Sequence, residues 1–232
     1  MPDGENHPRP SLSAVLPAFN EAGNLEAVVA ELRAALDALG LDAEIIVVDD
    51  GSADGTGPLA DRLAATGLRV IHHDRNRGYG AALRSGFAAA TRDWVFFMDS
   101  DGQLDPADLA AFVARTGDRD LIAGVRTRRA DPLLRRLYGR LFTLIARALF
   151  GIKTHDINCA FKLIRRSRLT ARLTVDGALI NVELLWELKK QGLDPLELPV
   201  THHPRRVGRQ TGGSVRVILR AMGELVRLRL RG

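Results

Sequence analysis

Cysteine is nearly absent. The 232 residues hold one, Cys159, so no internal disulfide can form, which fits a reducing compartment. Aromatic residues make up only 5%, too few for the stacking platforms of a single-strand nucleic-acid binder. Long apolar runs are also missing. A spanning helix needs ~20 such residues, and the nearest attempt, Leu141 to Ile152, is interrupted by Arg147. Met1 to Pro10 is polar and proline-rich, with no signal-peptide core. His155, His202 and His203 lack zinc-site spacing and have no cysteine pair to support them. Two nucleotide-loop patterns are incomplete. Gly78-Tyr79-Gly80 has Leu83 where a dinucleotide loop needs its third glycine, and Gly51 to Thr56 lacks Gly-Lys-[Ser/Thr].

Positive charge, by contrast, is plentiful. Lys and Arg number 33 against 28 Asp and Glu, for a net charge of +5 and a pI near 10. That balance implies an anionic partner. Between Arg205 and Arg231 stand eight arginines and one acidic residue, Glu224. Hydrophobic content is 46%, enough for a sizeable core.

Periodicity predicts strands at Leu12–Leu16 (ended by Pro17), Glu44–Val48, Leu68–His72, Trp94–Met98 and Asp120–Val125. Helices are expected between them: Leu25 to Leu36 closed by Gly40, Thr56–Ala65, Tyr79–Ala90 and Asp108–Arg115. The alternation predicts an α/β fold with a mostly parallel, helix-covered sheet. Farther on, Leu133–Phe150 and Val182–Gln191 read as helices and Leu196–His202 as a returning edge strand. On Leu133–Phe150 one face carries Leu134, Leu137, Tyr138, Leu141, Leu144, Ala148 and Leu149; the other carries Arg136, Arg140, Thr143 and Arg147. A last apolar stripe, Val215 to Val226, is also opposed by arginines. The expected organisation is a disordered 1–10, a catalytic domain over 11–213 and a basic amphipathic helix over 214–232.

The central stretch is Trp94 to Pro106, WVFFMDSDGQLDP. A buried strand gives way abruptly to Asp99, Ser100, Asp101, Gly102 and Gln103. Carboxylates and an amide at alternate positions past a strand end are suited to one hard cation. Taken alone, such aspartates also serve as turn and cap residues. However, Asn20-Glu21, Asp49-Asp50 and Arg126 also follow predicted strands, and ligands of such sheets bind at that edge.

LPAFNEAGNL at Leu16, VVDDGSADGT at Val47, NRGYGAALRSGF at Asn76 and FMDSDGQLDP at Phe97 follow one another in order. This series resembles the glycosyltransferase family 2 signature on a GT-A nucleotide-sugar fold. Arg126, Arg135-Arg136, DINCAFKLIRR at Asp156 and HHPRRVGRQTGG at His202 extend the resemblance to polyprenyl-phosphate sugar transferases, including dolichyl-phosphate mannose synthases. The resemblance implies that Pro17, Phe19, Glu21, Val47 and Asp49 hold the base and ribose of a nucleotide sugar. Ser100, Asp101 and Gln103 would lie at the diphosphate, Asp101 and Gln103 holding Mg²⁺ or Mn²⁺ with Asp99 in support. Arg126 and Arg205 would address the donor diphosphate, and Arg135 and Arg205 the acceptor phosphate. The chain departs from the pattern at Gly139, where many relatives have serine, and at Gln210-Thr211, in place of Ser-Lys.

The implied activity is inverting transfer of a hexose from GDP-mannose or UDP-glucose to a polyprenyl phosphate. A second reading is a family 2 enzyme acting on a hydroxyl acceptor, with Asp156 as its base. A nucleic-acid partner is excluded, because the aspartate edge repels phosphates without metal. The basic helices predict peripheral attachment to the cytoplasmic face of a membrane through Leu133–Phe150 and Val215–Leu230, with a separate membrane subunit as a further expected partner.

Overall fold

The structure, a computed structural model, describes residues 10–127, 133–169, 172–208, 224–225 and 227–230; of residues 133–136 and 138 it describes the backbone. The chain runs β1 (Leu12–Ala18), α1 (Leu25–Leu39), β2 (Ala43–Asp49), α2 (Thr56–Ala64), β3 (Arg69–His72), α3 (Tyr79–Ala89) and β4 (Trp94–Phe97). It continues through α4 (Leu109–Val113), β5 (Leu121–Arg126), α5 (Leu133–Phe150), β6 (Lys162–Arg165), α6 (Ile180–Lys190) and β7 (Leu196–Val200).

One seven-stranded sheet holds the order β3-β2-β1-β4-β6-β5-β7. All pairings are parallel except those of β6, which runs antiparallel to β4 and β5. β1 is buried along its whole length, as expected for a central strand covered on both faces. α3 lies close on it because Gly86 has no side chain: a Cβ there would stand 2.3 Å from Val15.

β1 does not stop at Pro17. It pairs with β2 through Pro17↔Val48 and Ala18↔Asp49. A proline is tolerated because the β4 pairing ends at Val15↔Phe97, so the missing N–H faces a side without a ladder partner. On that side Ser100 Oγ donates to the Pro17 carbonyl at 2.8 Å.

β6 is absent from the expected strands. Its four residues include Lys162 and Arg165, which hide the apolar signal. Phe161, just before it, is wholly buried and packs edge-on against Phe96 and Phe112, with ring centroids 4.7 and 4.9 Å apart.

α5 turns its leucine stripe outward. Thr143, Ala146 and Phe150 enter the core, while Leu137, Leu141 and Leu144 are 59%, 51% and 62% exposed. Of the final stripe, most lies outside the described residues; its Leu225 is buried, as is Leu228 just beyond it. Arg229 lies 5.9 Å from the Trp186 ring, which itself meets Phe150.

Candidate active site

The ends of β1, β2, β4 and β5 converge on one edge of the sheet. At the end of β1, Phe19 is 45% exposed and so is not a core residue. Asn20 takes the left-handed conformation, φ 55°. Its amide N–H donates to Ser52 Oγ and its side-chain oxygen accepts from Ala53 N–H, both at 2.9 Å. Glu21 follows, with its backbone N–H on Thr56 Oγ1 at 2.8 Å.

At the end of β2, Asp49 accepts from Ser52 N–H at 3.1 Å and meets His72 Nδ1 at 3.0 Å. The far nitrogen of His72 meets Asp61 at 2.9 Å. These two carboxylate contacts raise the His72 pKa above its ordinary value, against a smaller opposing effect of burial. Asp50 is buried and accepts from Arg77 N–H, Gly78 N–H and His73 at 2.9, 2.8 and 2.6 Å. It thereby fastens the 75–78 loop against the turn at Gly51. Gly51 has φ 69°, and a Cβ would stand 2.3 Å from the Arg75 backbone. Val47 is fully buried in the sheet, so its side chain does not reach the cleft.

The glycine pair at Gly78 and Gly80 is not an anion cradle. The first amides of α3 are already engaged: Gly80 and Ala81 N–H donate to the Asp176 carbonyl at 2.7 and 3.3 Å.

Beyond β4, Ser100 is buried on the Pro17 carbonyl. Asp99 is half-buried. Burial first, then the neighbouring charge of Asp101, push its pKa up to about 7; Tyr79, Arg126 and Lys162 pull the other way. Asp101 Oδ1 closes a turn by accepting from Gln103 N–H at 3.1 Å. The Gln103 side chain donates to the His203 carbonyl at 3.2 Å, and His203 N–H donates back to the Gln103 carbonyl at 2.7 Å. A bridge between Leu104 and His202 completes this seam.

The seam holds Arg205 over the edge. Its guanidinium donates to Glu21 Oε1 at 2.5 Å and to Asp101 Oδ2 at 3.3 Å, with side chains 17%, 12% and 15% exposed respectively. Two carboxylates from different loops thus converge on one cation. Burial raises the Glu21 pKa, against the hydrogen bonds of Asn24 and Arg205. Among the described residues no group of three from His, Cys, Asp and Glu is arranged to hold a metal ion. A metal at Asp101 would therefore draw on Gln103 and on ligand oxygens.

Arg126, at the end of β5, is gripped by Asp156. Two parallel bonds of 2.7 Å run from Nε and an Nη to the two carboxylate oxygens, and the Arg126 N–H adds one of 3.3 Å. Both side chains are largely buried, at 13% and 8%. Asp156 therefore faces a guanidinium rather than solvent. Arg135 lies on α5 and its side chain is outside the described residues.

Pro17, Phe19, Glu21, Asp49, Asp99, Ser100, Asp101, Gln103, Arg126 and Arg205 thus sit along one edge. Sequence reasoning did not single out Asn24, His72, Tyr79 or Lys162 as parts of this edge. Lys162 carried one available signal, a basic residue inside the apolar run Phe161 to Ile164.

Comparison with known proteins gives the family of the chain. A family model for glycosyl transferase family 2 matches residues 13–172. Polyprenol monophosphomannose synthase of Mycolicibacterium smegmatis is 30% identical over 225 residues, 87% of this chain and 82% of that protein. An undecaprenyl-phosphate 4-deoxy-4-formamido-L-arabinose transferase of Enterobacter is 29% identical, and the match spans 64% of its length. Among solved structures, glucosyl-3-phosphoglycerate synthase of Mycobacterium tuberculosis, in complex with Mn²⁺, UDP-glucose and glycerol 3-phosphate, superposes with a TM-score of 0.64 at 25% identity. That match covers 94% of this chain and 76% of the other. With the family match running from β1 to beyond β6, and a 30% identical relative covered over most of both lengths, the chain belongs to glycosyltransferase family 2.

Proposed function

We propose that the chain transfers a hexose from a nucleoside-diphosphate sugar to the phosphate of a polyprenyl lipid, with inversion at the anomeric carbon. The carrying observation is the convergence of Glu21 and Asp101 on one cation at the carboxyl edge of the sheet. Such an acidic pair fits a ribose on one side and a metal-bound diphosphate on the other.

Glu21 would accept the ribose hydroxyls, with Phe19 and Pro17 as the wall for the base. Mg²⁺ or Mn²⁺ held by Asp101 and Gln103 would neutralise charge growing on the leaving diphosphate. Arg205 must leave its carboxylates for that to happen, which frees its guanidinium for phosphate oxygens. Arg126, aimed by Asp156, and Arg135 supply further positive charge for aligning two anions that otherwise repel. The acceptor phosphate is already ionised, its second pKa being about 6, so positioning and electrostatics suffice without a strong base. The grip of Arg126 on Asp156 weighs against the alternative in which Asp156 activates a hydroxyl acceptor.

The exposed leucines of α5, with Arg140 beside them, suit an anionic bilayer surface. The described residues contain no helix long and apolar enough to cross one. Transfer of label from GDP-mannose or UDP-glucose to polyprenyl phosphate, with Mn²⁺ present, tests the activity. Recovery of a β-linked lipid phosphosugar is expected; labelling of a hydroxyl acceptor alone would overturn the reading. Flotation with anionic liposomes tests the surface, and binding that ignores salt and lipid charge would sink it.

A further inference from the structure

A lysine lies wholly inside the protein beneath the site. Lys162 is 0% exposed. It opens β6 between Phe97 of β4 and Ala123 of β5, among neighbours that are apolar and equally buried: Phe161, Leu163 and Ile164. A position that needed only packing would hold leucine or methionine. An interior ammonium is costly to desolvate, and hydrogen bonds from every N–H are what offset that cost.

Each one does. Nζ donates to the Ile157 carbonyl at 3.1 Å, to Asn181 Oδ1 at 3.0 Å and to the Cys159 carbonyl through a short bond. The Phe97 ring lies 5.4 Å away. Burial pulls the Lys162 pKa down to about 8, which leaves the charged form present at neutral pH. Two of the three acceptors are backbone carbonyls of a single turn, which Cys159 N–H closes on the Asp156 carbonyl at 3.1 Å. The side chain at the head of that turn is the carboxylate that forks Arg126.

We propose that Lys162 is a positioning residue for the transfer reaction: from the core it fixes the 156–159 turn, the turn fixes Asp156, and Asp156 aims the Arg126 guanidinium at the cleft. An ammonium does here what an apolar side chain cannot, because only a multiple donor holds two carbonyls of one turn and an amide of α6 together. The proposal rests on the transfer function given above, with Arg126 acting on phosphate.

The experiment has two readouts. In the transfer assay, Lys162→Met is expected to lower kcat about 100-fold with the donor KM changed by less than about threefold. Asn181→Ala, which removes one acceptor and is the milder change, is expected to lower kcat about fivefold. In an Asp156→Asn background both effects should nearly vanish, since the pathway is already cut there; a purely structural lysine would give effects that multiply. The second readout needs no turnover. The Arg126 Nε–H resonance, assigned by its loss in Arg126→Lys, should be slow to exchange in the native protein and shifted in Asn181→Ala and Lys162→Met. If Lys162→Met does not fold, Asn181→Ala decides. A folded variant with kcat within twofold of wild type, multiplicative effects, or an unmoved Arg126 resonance overturns the proposal. If the unaltered protein transfers no sugar, the functional reading has failed, and the resonance alone then decides whether Lys162 positions Arg126.

Discussion

The two halves of the candidate catalytic edge are built differently. On the side of β1, β2 and β3, short side chains bond to backbone amides. Asp50 holds the 75–78 loop, Asn20 locks onto the Ser52 turn, and Thr56 receives Glu21. On the side of β4, β5 and β6, long cations reach carboxylates across the cleft: Arg205 to Glu21 and Asp101, Arg126 to Asp156. The first half is a rigid mould, suited to a flat base and a ribose of fixed shape. The second is a set of charges whose partners can be exchanged, suited to phosphates that arrive, react and leave.

The comparison breaks most visibly at Asp101. Asp101→Ala is expected to lower transfer by at least about 10³-fold, while the circular dichroism spectrum and melting temperature stay close to wild type. Near wild-type turnover with metal would remove Asp101 from the site. On the moulded side the penalty should appear in stability instead. Asp50→Ala strands two backbone N–H groups and a buried histidine, and urea unfolding should show a loss of about 3 kcal/mol.

Arg205→Ala sharpens the exchangeable side. Transfer should fall about 10- to 100-fold, yet Mn²⁺ should bind the donor-free protein more tightly, because the guanidinium no longer occupies Asp101. Titration followed by the Mn²⁺ electron paramagnetic resonance signal reads this directly, and unchanged or weaker binding would refute the exchange.

The smallest effect concerns pH. Burial raises the Glu44 pKa, but bonds from Ser13, Thr91 and Arg69 outweigh it and hold the group at about 2. A depressed carboxyl stabilises the fold above its unfolded pKa of about 4.3 and loses that contribution as pH falls toward 2. Glu44→Gln should therefore flatten the acid limb of stability between about pH 5 and 2 and leave transfer at pH 7 unchanged.

Much of the mould was legible in the sequence, because it consists of local chemistry. Apolar runs followed by Asn20-Glu21, Asp49-Asp50 and Asp99 to Gln103 announce strand ends with polar groups. The charged half was legible only in its members. That Arg205 bridges two carboxylates depends on a seam between residues 103 and 203, which no window of sequence contains. The α5 leucines show the same limit. Their spacing is helical, but whether the stripe faces core or solvent depends on what packs beside it, and Thr143, Ala146 and Phe150 took the inner side. β6 was hidden because burial normally excludes lysine, and Lys162 is an exception with three acceptors.

The antiparallel strand also sets the order in which strand partners become available along the chain. β1 to β4 pair only among themselves and can close as a unit from residues 12–97, apart from the outer edge of β4. β5 has no partner in that unit: its neighbours, β6 and β7, both come later in the chain. The strands of the mould are therefore all present in the chain before β5 gains either neighbour, which residues 162–165 and 196–200 supply. Asp101 is likewise made before Arg205, the guanidinium it meets.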